Sequence, residues 1–189
     1  MPSYADFTPF CQNGCKTNRP RKSPHNTAKY GISGGKNSMI RVMFVCHGNI
    51  CRSPMAEFVM KKLAAESGLE EIFIASCATS TEELGNPVYP PARAELAKHG
   101  IGCSGKTAVQ LKKSDYGSYD LFVGMDTANI RNMHRIFGTD PDEKICKLMT
   151  FSGRSDDVSD PWYTRDFARC YADIEEGCRG LLRSLRERM

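Results

Sequence analysis

Residues 40–57 read IRVMFVCHGNICRSPMAE: an apolar run, a polar turn containing a glycine, then a proline-led helical start. Ile40 to Val45 predicts a buried strand. Ser53, followed by Pro54 and Glu57, predicts a helix N-cap, a first-turn proline and an acidic first turn. A turn that joins a strand to a helix start has to aim its backbone amides at one centre, and the helix dipole adds partial positive charge there. Gly48 and Asn49 suit the positive φ of a tight concave turn. Arg52 offers a planar two-pronged donor fork, and the same positive field favours the thiolate of Cys46. An ionised sulfur at the floor of an anion cradle is an attacking group, so the stretch points to chemistry on a phosphate-like oxyanion.

Working outward, the chain alternates between the two periodicities. A helix is expected over 54–67 with Met55, Phe58, Val59 and Leu63 on one side, then a strand over 71–78 and a helix over 90–99 closed by Gly100. A strand over 119–125, a helix over 127–137, a short strand over 144–149 and a long helix over 166–188 follow. Phe167, Ile174, Leu181, Leu182 and Leu185 of that last helix are expected to face the sheet. The pattern predicts an α/β fold with four parallel strands and right-handed crossovers. In a flavodoxin-like, three-layer order the ligand point lies at the carboxyl end of the first strand, where Cys46 stands.

A chain of 189 residues is long enough for a full core, and 40% hydrophobic with 25% charged residues is ordinary for a globular protein. No apolar run reaches the ~18 residues of a membrane span, and no signal-peptide pattern opens the chain. A cytoplasmic protein with no membrane association is expected. Residues 1–38 hold Lys16, Arg19, Arg21, Lys22, Lys29 and Lys36 against the single acid Asp6. That is a net +5 against +4 for the whole chain, so the remainder carries −1. This stretch is expected to be a flexible basic extension, with residues 39–189 forming the domain and Met39 a candidate natural start. It lacks interleaved aromatics for base stacking, so no nucleic-acid partner is expected. Gly34-Gly35-Lys36 fails as an ATP-binding loop, because Tyr30 stands where the first glycine belongs and Asn37 follows the lysine. Nine cysteines without repeating spacing predict reduced thiols rather than a disulfide framework. Cys11, Cys15 and His25 make a poor zinc set, so neither metal nor cofactor is expected.

The block VCHGNICRSPMAE, with Cys46, five intervening residues, Arg52, Ser53 and Pro54, resembles the signature of the low-molecular-weight protein tyrosine phosphatases. The resemblance extends over residues 39–189 and implies the four-stranded flavodoxin-like fold. It implies hydrolysis of phosphotyrosine in proteins through a cysteinyl-phosphate, by a monomer or weak dimer. Cys46 would then be the nucleophile, and residues His47, Gly48, Asn49, Ile50, Cys51, Arg52 and Ser53 the phosphate loop. Ser53 would also donate to the sulfur. Expelling an alkoxide or phenoxide needs a proton, and Asp160-Pro161-Trp162-Tyr163, expected in a loop, resembles the family's acid loop. Asp160 would be the acid and then the base that activates water, with Trp162 and Tyr163 as walls of an aryl slot. The match further implies that His99 hydrogen-bonds Asn49, against the plainer reading of a helix-end residue. Asp126 matches a family Met-Asp pair near the site, or caps the helix that starts at Thr127. Cys51 would be a packed thiol that can bridge to Cys46 under oxidation.

Glu82 stands on the rim where animal members of the family carry an aromatic residue, which resembles bacterial members and weakens strict aryl discrimination. Ile50 stands where bacterial arginine phosphatases carry threonine, which favours phosphotyrosine over phosphoarginine. A thioredoxin-coupled arsenate reductase shares such a cradle but relays electrons through two further, closely spaced cysteines. Cys77, Cys103 and Cys146 are too scattered for that. A phosphopeptide reader without turnover would need the cradle but not Asp160.

Overall fold

The computed structural model describes residues 39–187. The extension over residues 1–38, with Cys11, Cys15, His25 and the Gly34-Gly35-Lys36 stretch, lies outside the described residues. Strand β1 (Ile40–Cys46) is followed by helix α1 (Arg52–Glu66), β2 (Ile72–Ala78), α2 (Pro90–Lys98), β3 (Leu121–Gly124), α3 (Thr127–Phe137), β4 (Ile145–Lys147), a short α4 (Pro161–Thr164) and the long α5 (Phe167–Arg186). The strands form one parallel sheet in the order β2-β1-β3-β4, the flavodoxin-like order expected. Most elements stop one or two residues short of their sequence-expected ends, as fraying termini do. Short 3-10 turns at Lys113–Ser118 and Leu148–Ser152 replace what periodicity left as loop and strand end.

β1 is central, and its alternate side chains feed two cores. Val42, Phe44 and Cys46 join the apolar cluster with α1, α2 and α5, while Met43 and Val45 join the cluster with Phe122, Met133 and Phe137 on the α3 side. The result is three layers with the sheet between. α1 is buried on most of its surface rather than along one stripe, because β1 and β2 lie beneath it and α5 and α2 pack against it in the same layer. Ile174, Leu181 and Leu185 of α5 join the same cluster as Val42, Phe44 and Val123 of the sheet, with Phe167 and Leu182 packed against it, as expected, and α5 also packs closely on α1 and on the Leu148–Ser152 turn. Among the described residues, no helix is long and apolar enough to cross a membrane.

Candidate active site

The turn from β1 into α1 runs Cys46 to Arg52; neighbouring segments bond three of its carbonyls, and the first turn of α1 bonds a fourth. Cys46 O accepts from Thr79 N (2.9 Å), His47 O from Ser80 N (3.0 Å), Ile50 O from Tyr89 N (2.8 Å) and Cys51 O from Met55 N (3.1 Å). The chain has no cis peptide among the described residues, so each carbonyl turned outward sends the next residue's N–H inward. The amides of His47, Gly48, Cys51 and Arg52 therefore point to the concave side. That side is a cavity of about 350 Å³ with Cys46 and Arg52 in its lining. The Cys46 sulfur lies 3.0 Å from Ser53 Oγ and accepts from Asn49 N at 3.3 Å.

Asn49 takes the left-handed conformation, φ 58°. Gly48 does not, which corrects the expectation that both residues need it. The glycine serves close approach instead: a Cβ there would stand 3.1 Å from Glu83 Cγ. Ser53 is not the N-cap either. α1 starts at Arg52 with Cys51 as its cap residue, so Ser53 lies inside the first turn and its hydroxyl is taken up by Cys46 Sγ, Asn49 Nδ2 (2.8 Å) and Cys77 O (3.4 Å). Glu57 is not first-turn acid but a buried carboxylate. It accepts from Ser76 Oγ (2.5 Å) and Lys61 Nζ (2.5 Å), with Lys106 Nζ at 3.6 Å.

Beneath the loop, Asn49 Nδ2 donates to Ser76 Oγ at 2.8 Å, Asn49 Oδ1 accepts from Val109 N at 3.1 Å, and Lys106 donates to Ser76 O at 2.9 Å. This buried chain from Cys46 through Ser53, Asn49 and Ser76 to Glu57 and Lys106 was missed by sequence reasoning. The available signals were a serine inside the apolar strand IFIASCA and a glutamate on a helix otherwise covered. His99 takes no part in it, contrary to the expectation of a bond to Asn49. It caps the end of α2, with Nε2 3.3 Å from Glu95 and its ring stacked on Tyr171 at 3.6 Å between centroids. Both Asn49 Nδ2 hydrogens go to Ser53 and Ser76, and its Oδ1 accepts from Val109 N, so the side chain is held without His99.

Arg52 is 3% exposed. Its Nη1 donates to Asp126 Oδ2 (2.6 Å) and Val158 O (3.3 Å), and its Nη2 to Asp160 Oδ2 (2.6 Å). Burial opposes its charge, but Cys46, Asp160 and Asp126 more than offset this and raise its pKa. Both readings of Asp126 hold at once, because its other oxygen caps α3 through Asn129 N at 2.6 Å. Asp160 is built the same way: Oδ1 accepts from Trp162 N at 3.0 Å, which makes the expected loop at 161–164 the helix α4. Trp162, 5.3 Å from the Tyr89 ring, and the exposed Tyr163 both line the cavity, as do Glu82 and Glu83. Glu82 lies 3.2 Å from His47 Nε2. Cys51 is a buried thiol whose pKa is pushed up to about 12 by burial, with the Cys46 and Asp160 charges adding to it. Among the described residues, no group of His, Cys, Asp and Glu is arranged to hold a metal ion.

The sequence profile of the family described as low molecular weight phosphotyrosine protein phosphatase matches residues 41–189. The chain belongs to that family. The phosphatase is 38% identical over 152 residues to the low molecular weight protein-tyrosine-phosphatase YfkJ of Bacillus subtilis, covering 79% of this chain and 97% of the relative. It is 37% identical over 155 residues to the low molecular weight phosphotyrosine protein phosphatase of Schizosaccharomyces pombe, covering 77% and 97%. The crystal structure of YfkJ superposes with a TM-score of 0.77, over 82% of this chain and 99% of that one. The Drosophila arginine phosphatase DARP is similar at 26% identity and a TM-score of 0.71, over 76% and 96%.

Proposed function

We propose that this phosphatase hydrolyses phosphotyrosine in proteins in two steps, with Cys46 as nucleophile and Asp160 as acid and base. The observation that carries the reading is that three loop carbonyls are bonded by neighbouring segments and a fourth by α1, which leaves the opposed amides free for the cavity that Cys46 and Arg52 line. Three equatorial phosphate oxygens need such converging donors. In the first step the sulfur attacks phosphorus, the P–O(aryl) bond breaks, and the Asp160 proton goes to the leaving phenoxide. In the second, the Asp160 carboxylate takes a proton from water while that oxygen attacks phosphorus. The S–P bond breaks, inorganic phosphate leaves, and the thiolate is restored. Ser53 Oγ, 3.0 Å from the sulfur, supports the sulfur as leaving group. Cys51 stays a neutral thiol near pH 7 and does not compete.

Against arsenate reduction, Cys77 lies inside β2 and Cys146 inside β4, and both they and Cys103 are buried rather than carried on an exposed segment as an electron relay requires. The buried free thiols Cys46, Cys51, Cys77, Cys103, Cys170 and Cys178 support a reducing, cytoplasmic setting.

The test is release of inorganic phosphate from phosphotyrosine, phosphoserine and phosphoarginine peptides, together with Asp160→Ala. Phosphotyrosine should turn over fastest, and Cys46→Ser should abolish turnover while vanadate still binds. Asp160→Ala should lower kcat/KM for phenyl phosphate by roughly 10²- to 10⁴-fold, the worth of a positioned acid. For the 2,4-dinitrophenyl ester, whose leaving group scarcely needs a proton, the loss should be far smaller. Preference for phosphoarginine, or equal losses on both esters, would overturn the substrate or the acid respectively.

A further inference from the structure

Asp160 sits at the end of an irregular segment, residues 154–160, whose fastening to the sheet has no part in the chemistry above. Lys147 is the last residue of β4, at the carboxyl edge of the sheet, and its side chain is mostly buried. Its Nζ donates to Ser155 O and to Asp157 Oδ1, the latter at 2.7 Å. The same Asp157 oxygen accepts from Thr127 Oγ1 at 3.1 Å, and Thr127 opens α3 next to Asp126, which holds Arg52. Val158 N then donates to Met125 O at 2.9 Å. The segment is thus pinned to the ends of β3, β4 and α3, the same frame that orients Arg52.

We propose that Lys147 and Asp157 are positioning residues that hold Asp160 in register with Cys46 and Arg52, so that its proton reaches the leaving oxygen. The proposal rests on the assignment of Asp160 as the acid. Proton transfer needs hydrogen-bond reach, and about 1 Å of misplacement costs on the order of 10²-fold. A part-exposed ion pair contributes little to global stability, so the effect belongs in catalysis rather than in unfolding. Arg154, which ties the other end of the segment to Asp173 (3.0 Å) and Glu176 (2.6 Å) of α5, is six residues from Asp160 and does not fix it in the same way.

The experiment compares Lys147→Met and Lys147→Arg with the parent chain on phenyl phosphate and 2,4-dinitrophenyl phosphate. It reads kcat/KM, which ends at cleavage of the ester, and competitive inhibition by inorganic phosphate. Lys147→Met should lose about tenfold on the phenyl ester and less than about twofold on the dinitrophenyl ester, with phosphate inhibition changed by less than about twofold as well, because Asp126 still holds Arg52. Lys147→Arg should restore most of the loss. Introduced into Asp160→Ala, Lys147→Met should cause no further loss, because it acts through the residue already removed. Equal loss on both esters, additional loss in the Asp160→Ala background, or no loss at all would overturn the proposal. Asp157→Ala, read by the same ratio, decides the matter if Lys147→Met does not fold. If Asp160→Ala itself shows no bias between the esters, the acid assignment falls and this proposal falls with it.

Discussion

Arg52 concentrates the electrostatics of the site in one side chain. It brings the only charge on the loop that can neutralise a dianion, and its placement depends on two carboxylates, Asp126 and Asp160, each 2.6 Å from a different terminal nitrogen. Among the described residues no hydrogen bond engages its Nε–H, and Nη2 keeps one further N–H, so an edge of the planar fork remains for a ligand oxygen pair. A lysine keeps the charge but has a single nitrogen, which cannot serve both carboxylates and a phosphate. Hydrogen bonds to charged groups are worth about 1.5–3 kcal/mol each. Arg52→Lys should therefore lower kcat/KM by at least roughly 10- to 100-fold and weaken inhibition by inorganic phosphate in parallel. Weaker turnover with unchanged phosphate inhibition would show that the fork acts on the leaving group rather than on the bound oxyanion.

Between elements, the closest approach is made by α5, and two glycines allow it. A Cβ at Gly180 would stand 2.3 Å from Phe151 O, and one at Gly177 would stand 2.5 Å from Leu148 Cγ. Helix propensity alone favours alanine over glycine by about 1 kcal/mol. The contact at Gly180 is with backbone, which cannot swing away, so overpacking at roughly 1–3 kcal/mol or more decides the sign. Gly180→Ala should lower the urea midpoint, whereas a rise would mean that the Leu148–Ser152 turn yields easily. Neither glycine stands out in sequence, since their need arises from a partner more than twenty residues away. The same division explains what could be read beforehand. Thr127–Phe137 was legible to the residue because its Asp126 cap and glycine stop are local, and the place of the turn after Cys46 because its residue types and order are local, though its cap and the conformation of Gly48 were not. The Ser76, Glu57 and Lys106 chain was not legible, because it exists only where β2 runs beside β1 in the register that sets Cys46 opposite Ala78. His99 was misplaced for the same reason: its partner Tyr171 comes from α5.

Taken as a whole, the fold keeps an unusual number of thiols in its interior, and this makes its stability depend on pH in a predictable direction. Burial raises the pKa of Cys77, Cys170 and Cys178, and that of Cys51 to about 12. Cys178 has no exposed surface, and its S–H donates to Ala56 O, joining α5 to α1. In the unfolded chain these thiols ionise near pH ~8.5, while in the fold they keep their protons. A folded pKa raised above the unfolded one contributes stability that is fully present below about pH 8.5 and is lost as pH rises toward the folded value. Well above the unfolded pKa, each such thiol removes about 1.4 kcal/mol of stability per pH unit. Urea denaturation under reductant should therefore show stability falling from pH 8 to pH 10. Cys178→Ala should be less stable than the parent at pH 7, through the cavity it leaves, yet decline less steeply with pH by about 1.4 kcal/mol per unit. The two curves should converge on the alkaline side. Parallel curves would show that Cys178 ionises in the fold as readily as in the unfolded chain, and that the α1–α5 interface admits water.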